Sequence, residues 1–207
     1  MLFRSVNVEV SFTVDEETDS QLGAAWLVKN APISPDFALV MEGGEEGRVC
    51  CGHNGTLWLE VAVHGRAAHG SRPDLGVNAL EKMSALVLAL QEYAARLARL
   101  GFTAPDGTVM HPTLNLGGVF ASGPGGKINT VPAFASFSID RRVLPRESHA
   151  AAERELRFEL AAAARRIPDC RITVTRTSEN FSCYAEPRHA FGRAVKDAVS
   201  QIGRAHV

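Results

Sequence analysis

Asp15, Glu16 and Glu17 set three carboxylates side by side. They follow a stretch in which Val6, Val8, Val10, Phe12 and Val14 alternate with Asn7, Glu9, Ser11 and Thr13. That period of two predicts a half-buried strand. A further carboxylate, Glu42, closes the apolar run "DFALVM". Carboxylates gathered at one point raise each other's pKa unless a cation sits among them. A divalent metal meets that need, because Asp and Glu are ready ligands for zinc and similar ions. Adjacent glutamates point in different directions, so one can hold a metal while its neighbour handles a proton. The competing description of "DEE" is a solvated acidic turn ahead of a helix, where negative charge is favourable.

Two other segments carry chemistry-bearing side chains. "HGRAAHGSRPDLGVNA" places His69 in a loop beside Gly70, Ser71 and Pro73. A loop histidine among small residues reaches outward, although a lone histidine is more often a hydrogen-bonded surface group. His64 fits that plainer description. "GGKINTVPAFASFSIDRRVLP" puts Asp140 and Arg142 two residues apart, on one face of a strand. Arg141 takes the other face with Phe137 and Ile139. An exposed Asp140–Arg142 pair would contribute little stability. "GPGGK" does not make a phosphate loop. Ala121 stands where the first glycine belongs, and Ile128 replaces the required Ser or Thr. A glycine-rich hairpin loop is the better reading.

The elements that must position these groups follow from periodicity. "DSQLGAAWLVKN" reads as a short helix with Asp19 or Ser20 as N-cap. Pro32 and Pro35 break the chain before "DFALVM", a second strand. Strand, helix, strand at this spacing predicts a parallel βαβ piece. Glu16, Glu17 and Glu42 then lie past the carboxyl ends of its strands, where open α/β sheets bind ligands. From Gly55 to Thr177 the pattern changes. Leu57, Leu59, Val61 and Val63 alternate as a strand. Val77, Leu80, Met83, Val87, Leu90, Ala94 and Leu97 recur at helical spacing. Asn78 with Glu81 resembles a capping box, and Gly101 sits where a helix-ending glycine belongs. Strands near His111–Phe120 and Val131–Val143, a helix from Ser148 to Arg166 and the strand "RITVTRT" complete the order β-α-β-β-α-β. That is the ferredoxin-like arrangement, a two-layer domain in itself. The tail from Phe181 begins irregular and becomes helical. The predicted division is 1–51, an incomplete α/β piece; 52–178, the ferredoxin-like domain; and 179–207, an incomplete return.

Bulk properties narrow the function classes. The 207 residues are 45% hydrophobic and 22% charged, with a formal net charge of −1. That balance gives no reason to expect a nucleic-acid or membrane partner. No apolar run is long enough to span a bilayer, and "MLFRSVNVEV" lacks the apolar block of a signal peptide. Cys50, Cys51, Cys170 and Cys183 form no C-x-x-C pair, which favours reduced thiols and a cytoplasmic setting.

Together the three segments resemble the two-metal amidohydrolases and peptidases that include acetylornithine deacetylase, succinyl-diaminopimelate desuccinylase, aminoacylase and glutamate carboxypeptidase. The resemblance runs from Val6 to about Ser200. It rests on the order and spacing of "DEE", "LVMEGG", "HGS", "KINTVP" and "IDRRVLP". It implies an α/β protein: a metal-binding domain with an inserted ferredoxin-like lid that mediates homodimerisation. It implies Glu16 as general base, Glu17 and Glu42 as ligands of two divalent ions (zinc, with cobalt or manganese as alternatives), and His69 reaching into the partner's active site to polarise the scissile carbonyl. It implies Asn129 as a substrate contact and Arg142 as the group that binds a substrate carboxylate. The expected substrate is a small carboxylate-bearing N-acyl amino acid or peptide, cleaved at an amide bond.

The sequence also departs from that pattern. It has no His-x-Asp motif, no upstream bridging Asp and no distal His in a glycine-rich context. The expectation is therefore an internal fragment, inactive by itself. The competing expectation is a non-catalytic dimerisation or binding module formed by the lid.

Overall fold

The computed structural model describes residues 7–16, 20–42, 48–105 and 107–201. The chain divides into two compact units, Met1–Gly43 and Gly44–Val207.

The larger unit is built on a four-stranded antiparallel sheet. Its strands are β1 (Gly55–His64), β2 (Thr113–Ser122), β3 (Phe134–Val143) and β4 (Arg171–Asn180). The spatial order is β2-β3-β1-β4. β1 is central and pairs with β3 from Gly55↔Val143 to His64↔Phe134. One layer of helices covers one face: α2 (Ala79–Ala89) with α3 (Gln91–Leu97), and α4 (His149–Arg166). The β-α-β-β-α-β order expected from the sequence is therefore formed, and the chain is α/β.

Alternation decides which face is buried. Leu57, Leu59, Val61 and Val63 of β1 and Phe137, Ile139 and Val143 of β3 face Leu86, Leu90, Tyr93, Leu97, Leu156 and Leu160 of the helices. Fully burying a Leu, Val or Phe is worth about 1.5–3 kcal/mol, so this one layer dominates the fold. The opposite face carries Trp58, Glu60, Ser136, Ser138, Asp140 and Arg142, away from α2, α3 and α4.

Helix boundaries follow their caps. Asn78 Oδ1 accepts from the Leu80 and Glu81 backbone N–H groups, and Asn78 Nδ2 donates to Glu81 Oε1. The box expected from the sequence is thus present, with its reciprocal bond made between side chains. The single helix expected through Leu97 is two segments. Leu90 has φ −77° and ψ −10°, which loosens one turn, yet its N–H still bonds Leu86. Ser148 caps α4 through Ala151 N–H, and the helix ends at Arg166, ahead of Pro168. The "SGPGGK" loop joins β2 to β3 and leads into a strand, not a helix, as a hairpin loop should.

The smaller unit differs from expectation. α1 (Ala24–Asn30) is formed, but its N-cap is Gly23. Ser20 instead sits in the preceding turn at φ 54°, where its carbonyl accepts from Gly23 and Ala25 N–H; Asp19 lies outside the described residues. No strand forms among the described residues of 7–42, so the parallel βαβ pairing is not made there. The period of two was real, but parallel strands need both faces covered. Here Phe12 is 97% exposed and Met41 92%.

After β4, a short bridge pairs Gly52–His53 with Cys183–Tyr184, and α5 (Ala190–Gln201) follows. No helix among the described residues is long and apolar enough to cross a membrane.

Candidate functional site

His69 is held at one corner of the sheet. After β1 the chain forms a two-residue strand, Ala68–His69, which pairs with Thr130–Val131 so that His69 lies opposite Thr130. Gly70 N–H donates to the Asn129 carbonyl at 2.6 Å. A Cβ on Gly70 would meet Asn129 backbone atoms at 3.0 Å, so glycine is what lets the two segments approach. Arg72 N–H closes the turn onto the His69 carbonyl at 2.8 Å. The structure thus brings His69 and Asn129 together, both exposed. The His69 ring makes one set of contacts: Nδ1 lies 2.8 Å from Ser71 Oγ and accepts the Ser71 backbone N–H at 3.2 Å.

Arg142 stands at the opposite end. His69 and Asn129 lie beyond Phe134, the first residue of β3, and Arg142 is eight residues further along that strand. At about 3.4 Å per residue that is roughly 27 Å. Within one chain these groups cannot touch one small molecule. Arg142 Nε and Nη2 both donate to Asp140 Oδ2, at 3.1 and 3.0 Å. The pair lies on the sheet face away from α2, α3 and α4, as alternation predicted.

Arg141 is the residue that sequence reasoning undervalued. It was placed on the apolar face, and there it is fully buried. Its Nη2 donates to Glu147 Oε1 at 2.5 Å and its Nη1 to the Arg142 carbonyl. Glu147 Oε2 accepts the Leu144 N–H at 2.9 Å. A buried charge persists only when paired in this way. Burial pushes the neighbouring Tyr93 phenol above its ordinary pKa, and the Arg141 guanidinium draws it partly back. The signal in the sequence was an arginine at a core position of an alternating strand.

Glu16 and Glu42 are both exposed, and Glu17 lies outside the described residues. Among the described residues, no group of three or more His, Cys, Asp or Glu could hold a metal ion. The residues described do not fit a two-metal site. Asp15 instead serves the local turn, with its Oδ2 accepting the Leu22 N–H at 2.9 Å.

A family model, the peptidase dimerisation domain, matches residues 51–168, more than half of the chain. The chain belongs to the M20 peptidase and amidohydrolase family. Among its M20 relatives, the acetylornithine deacetylase of Vibrio atlanticus (strain LGP32) is 33% identical over 172 residues, which are 83% of this chain and 44% of that protein. The acetylornithine deacetylase of Aliivibrio salmonicida (strain LFI1238) is 32% identical over 177 residues, 84% of this chain and 45% of that protein. The chain spans about half the length of the curated relatives it matches. A tripeptidase from Staphylococcus aureus subsp. aureus Mu50 superposes with a TM-score of 0.63 at 16% identity, covering 92% of this chain and 46% of that one. A hydantoinase/carbamoylase family amidase from Burkholderia vietnamiensis superposes with a TM-score of 0.54 at 21% identity, covering 74% and 34%. At such identities the structural likeness speaks to fold alone.

Proposed function

We propose that this chain is the lid and flanking part of an enzyme that hydrolyses an amide bond in an N-acyl amino acid or small peptide. The M20 family match over residues 51–168, together with the bridged His69–Asn129 corner, carries the reading. The division into 1–51, 52–178 and 179–207 belongs to the same proposal, as does a cytoplasmic location.

The lid's two ends have different tasks. Arg142, whose planar guanidinium suits bidentate pairing, takes the substrate carboxylate. His69 donates a hydrogen bond to the oxygen that becomes negative in the tetrahedral intermediate, and Asn129 contacts the same substrate. Because these ends are too far apart to share a molecule within one chain, His69 and Asn129 of one protomer serve the site that holds Arg142 of its partner. A homodimer is then a requirement. The outer edge of β2, which pairs only with β3 among the described strands and exposes Val119 and Phe120, suits such pairing.

Glu16 is assigned as general base, and Glu17 and Glu42 as metal ligands, on the family resemblance. The two divalent ions, zinc or else cobalt or manganese, are assigned to the intact enzyme, because the described residues do not form their site. The chain alone should then be inactive. Assayed with added zinc or cobalt against N-acetyl amino acids, it should give no turnover; robust turnover would overturn the fragment reading. A non-catalytic dimerisation module is the second reading, favoured by the exposure of Glu16 and Glu42. Loss of hydrolysis on Glu16→Gln in the intact enzyme would discard it.

A further inference from the structure

We propose that Ser71 is a positioning residue for His69, fixing both the tautomer of the ring and the direction of its outward nitrogen. The inference deepens the amidohydrolase reading, on which the purpose of His69 rests. The placement of the ring is independent of that reading.

A neutral imidazole donates from one nitrogen only, and the bond made by the other nitrogen selects which. A hydroxyl cannot decide this by itself, because Ser71 Oγ, 2.8 Å from Nδ1, could donate or accept. The backbone amide of Ser71 can only donate. It points at the same Nδ1, at 3.2 Å. A proton on Nδ1 would collide with that amide hydrogen. Nδ1 is therefore the acceptor, the Ser71 hydroxyl donates, and the ring proton lies on Nε2.

Ser71 also removes the last freedom at this corner. The backbone around His69 is already tied by its pairing with Thr130, by Gly70 N–H to the Asn129 carbonyl and by Arg72 N–H to the His69 carbonyl. What remains is rotation of an exposed side chain. Anchoring Nδ1 to the residue two positions on stops that rotation and aims Nε2–H away from the turn. A hydrogen-bond donor prepared in this way costs no reorganisation when charge develops on a carbonyl oxygen. Neither Gly70 nor Arg72 offers a side chain that could do the same. Gly70 has none, and Arg72 is engaged with Asp74 through Nε and Nη2 at 3.0 and 2.8 Å.

Long-range proton–nitrogen NMR of the chain in alkaline buffer reads the tautomer directly. The expected result is a single Nε2–H form with a ring as ordered as its backbone. Ser71→Ala, which keeps only the longer amide bond, should loosen the ring and shift Nδ1 toward the value of an unbonded acceptor. Ser71→Thr should restore both. A wild-type Nδ1–H form, or a Ser71→Ala spectrum identical to wild type, overturns the proposal. In the intact enzyme, Ser71→Ala should lower kcat about three- to ten-fold, the worth of one hydrogen bond, with KM within about two-fold. A ring that loosens as expected while neither Ser71→Ala nor His69→Ala lowers kcat would leave the geometry standing and remove the amidohydrolase role.

Discussion

Tyr93 is the residue whose environment makes the clearest solution prediction. It is buried beneath α3 against the Arg141–Glu147 pair, and burial raises its pKa. A phenol whose folded pKa lies above its unfolded value contributes stability that is fully present below about pH 10. That contribution is lost as pH rises from there through the folded pKa, because the unfolded chain releases its proton first. Urea melts between pH 9 and pH 11 should therefore show a steeper fall for wild type than for Tyr93→Phe; parallel declines would contradict the assignment. At this scale the sequence was uneven. Asn78 with Glu81 was legible because a cap is a local spacing rule. Ser71 was not, since a loop serine gives no hint of its partner until the ring beside it has a direction. Glu16 and Glu42 were legible as residue types, but their convergence depends on strands that do not pair among the described residues.

Elements were read best where neighbours in sequence also pack together. β1, α2, β3, α4 and β4 each declare a buried face, and each finds it covered within residues 55–180. The caps at the two main helices make a prediction of their own. Asn78→Ala and Ser148→Ala should each cost about 1 kcal/mol in denaturant unfolding. A change below about 0.3 kcal/mol at both sites would show that the helices are held by packing alone. The segments 7–14 and 37–42 show the limit of such reading. A period of two reports that one face of a strand is apolar; it carries no information on which partner covers it. Leu90 marks a smaller limit, since an apolar heptad continues smoothly across a loosened turn.

For the whole molecule the exposed edge of the four-stranded sheet is the feature that matters. Phe120 is 75% exposed on the outer edge of β2. Under the dimer proposal, Phe120→Lys should convert a dimer to a monomer by light scattering, with little change in melting temperature because substitutions at exposed sites are usually within ±0.5 kcal/mol. An unchanged dimer would move the interface elsewhere. The family and the ferredoxin-like element order were legible from motif order, because spacing is kept even when identity falls to about a third. The separation of His69 from Arg142 was not, since it follows from strand length and register rather than from either motif. Under the proposed assignment of these residues, that separation makes the active site a property of two chains.

Mixing two inactive variants of the intact enzyme tests this most directly. His69→Ala and Arg142→Ala should each be nearly inactive as homodimers. After subunit exchange, half of the dimers are hybrids, and each hybrid holds one site with both groups intact, so about a quarter of wild-type activity should return. A mixture no more active than its components would contradict the assignment of these residues to sites shared between protomers.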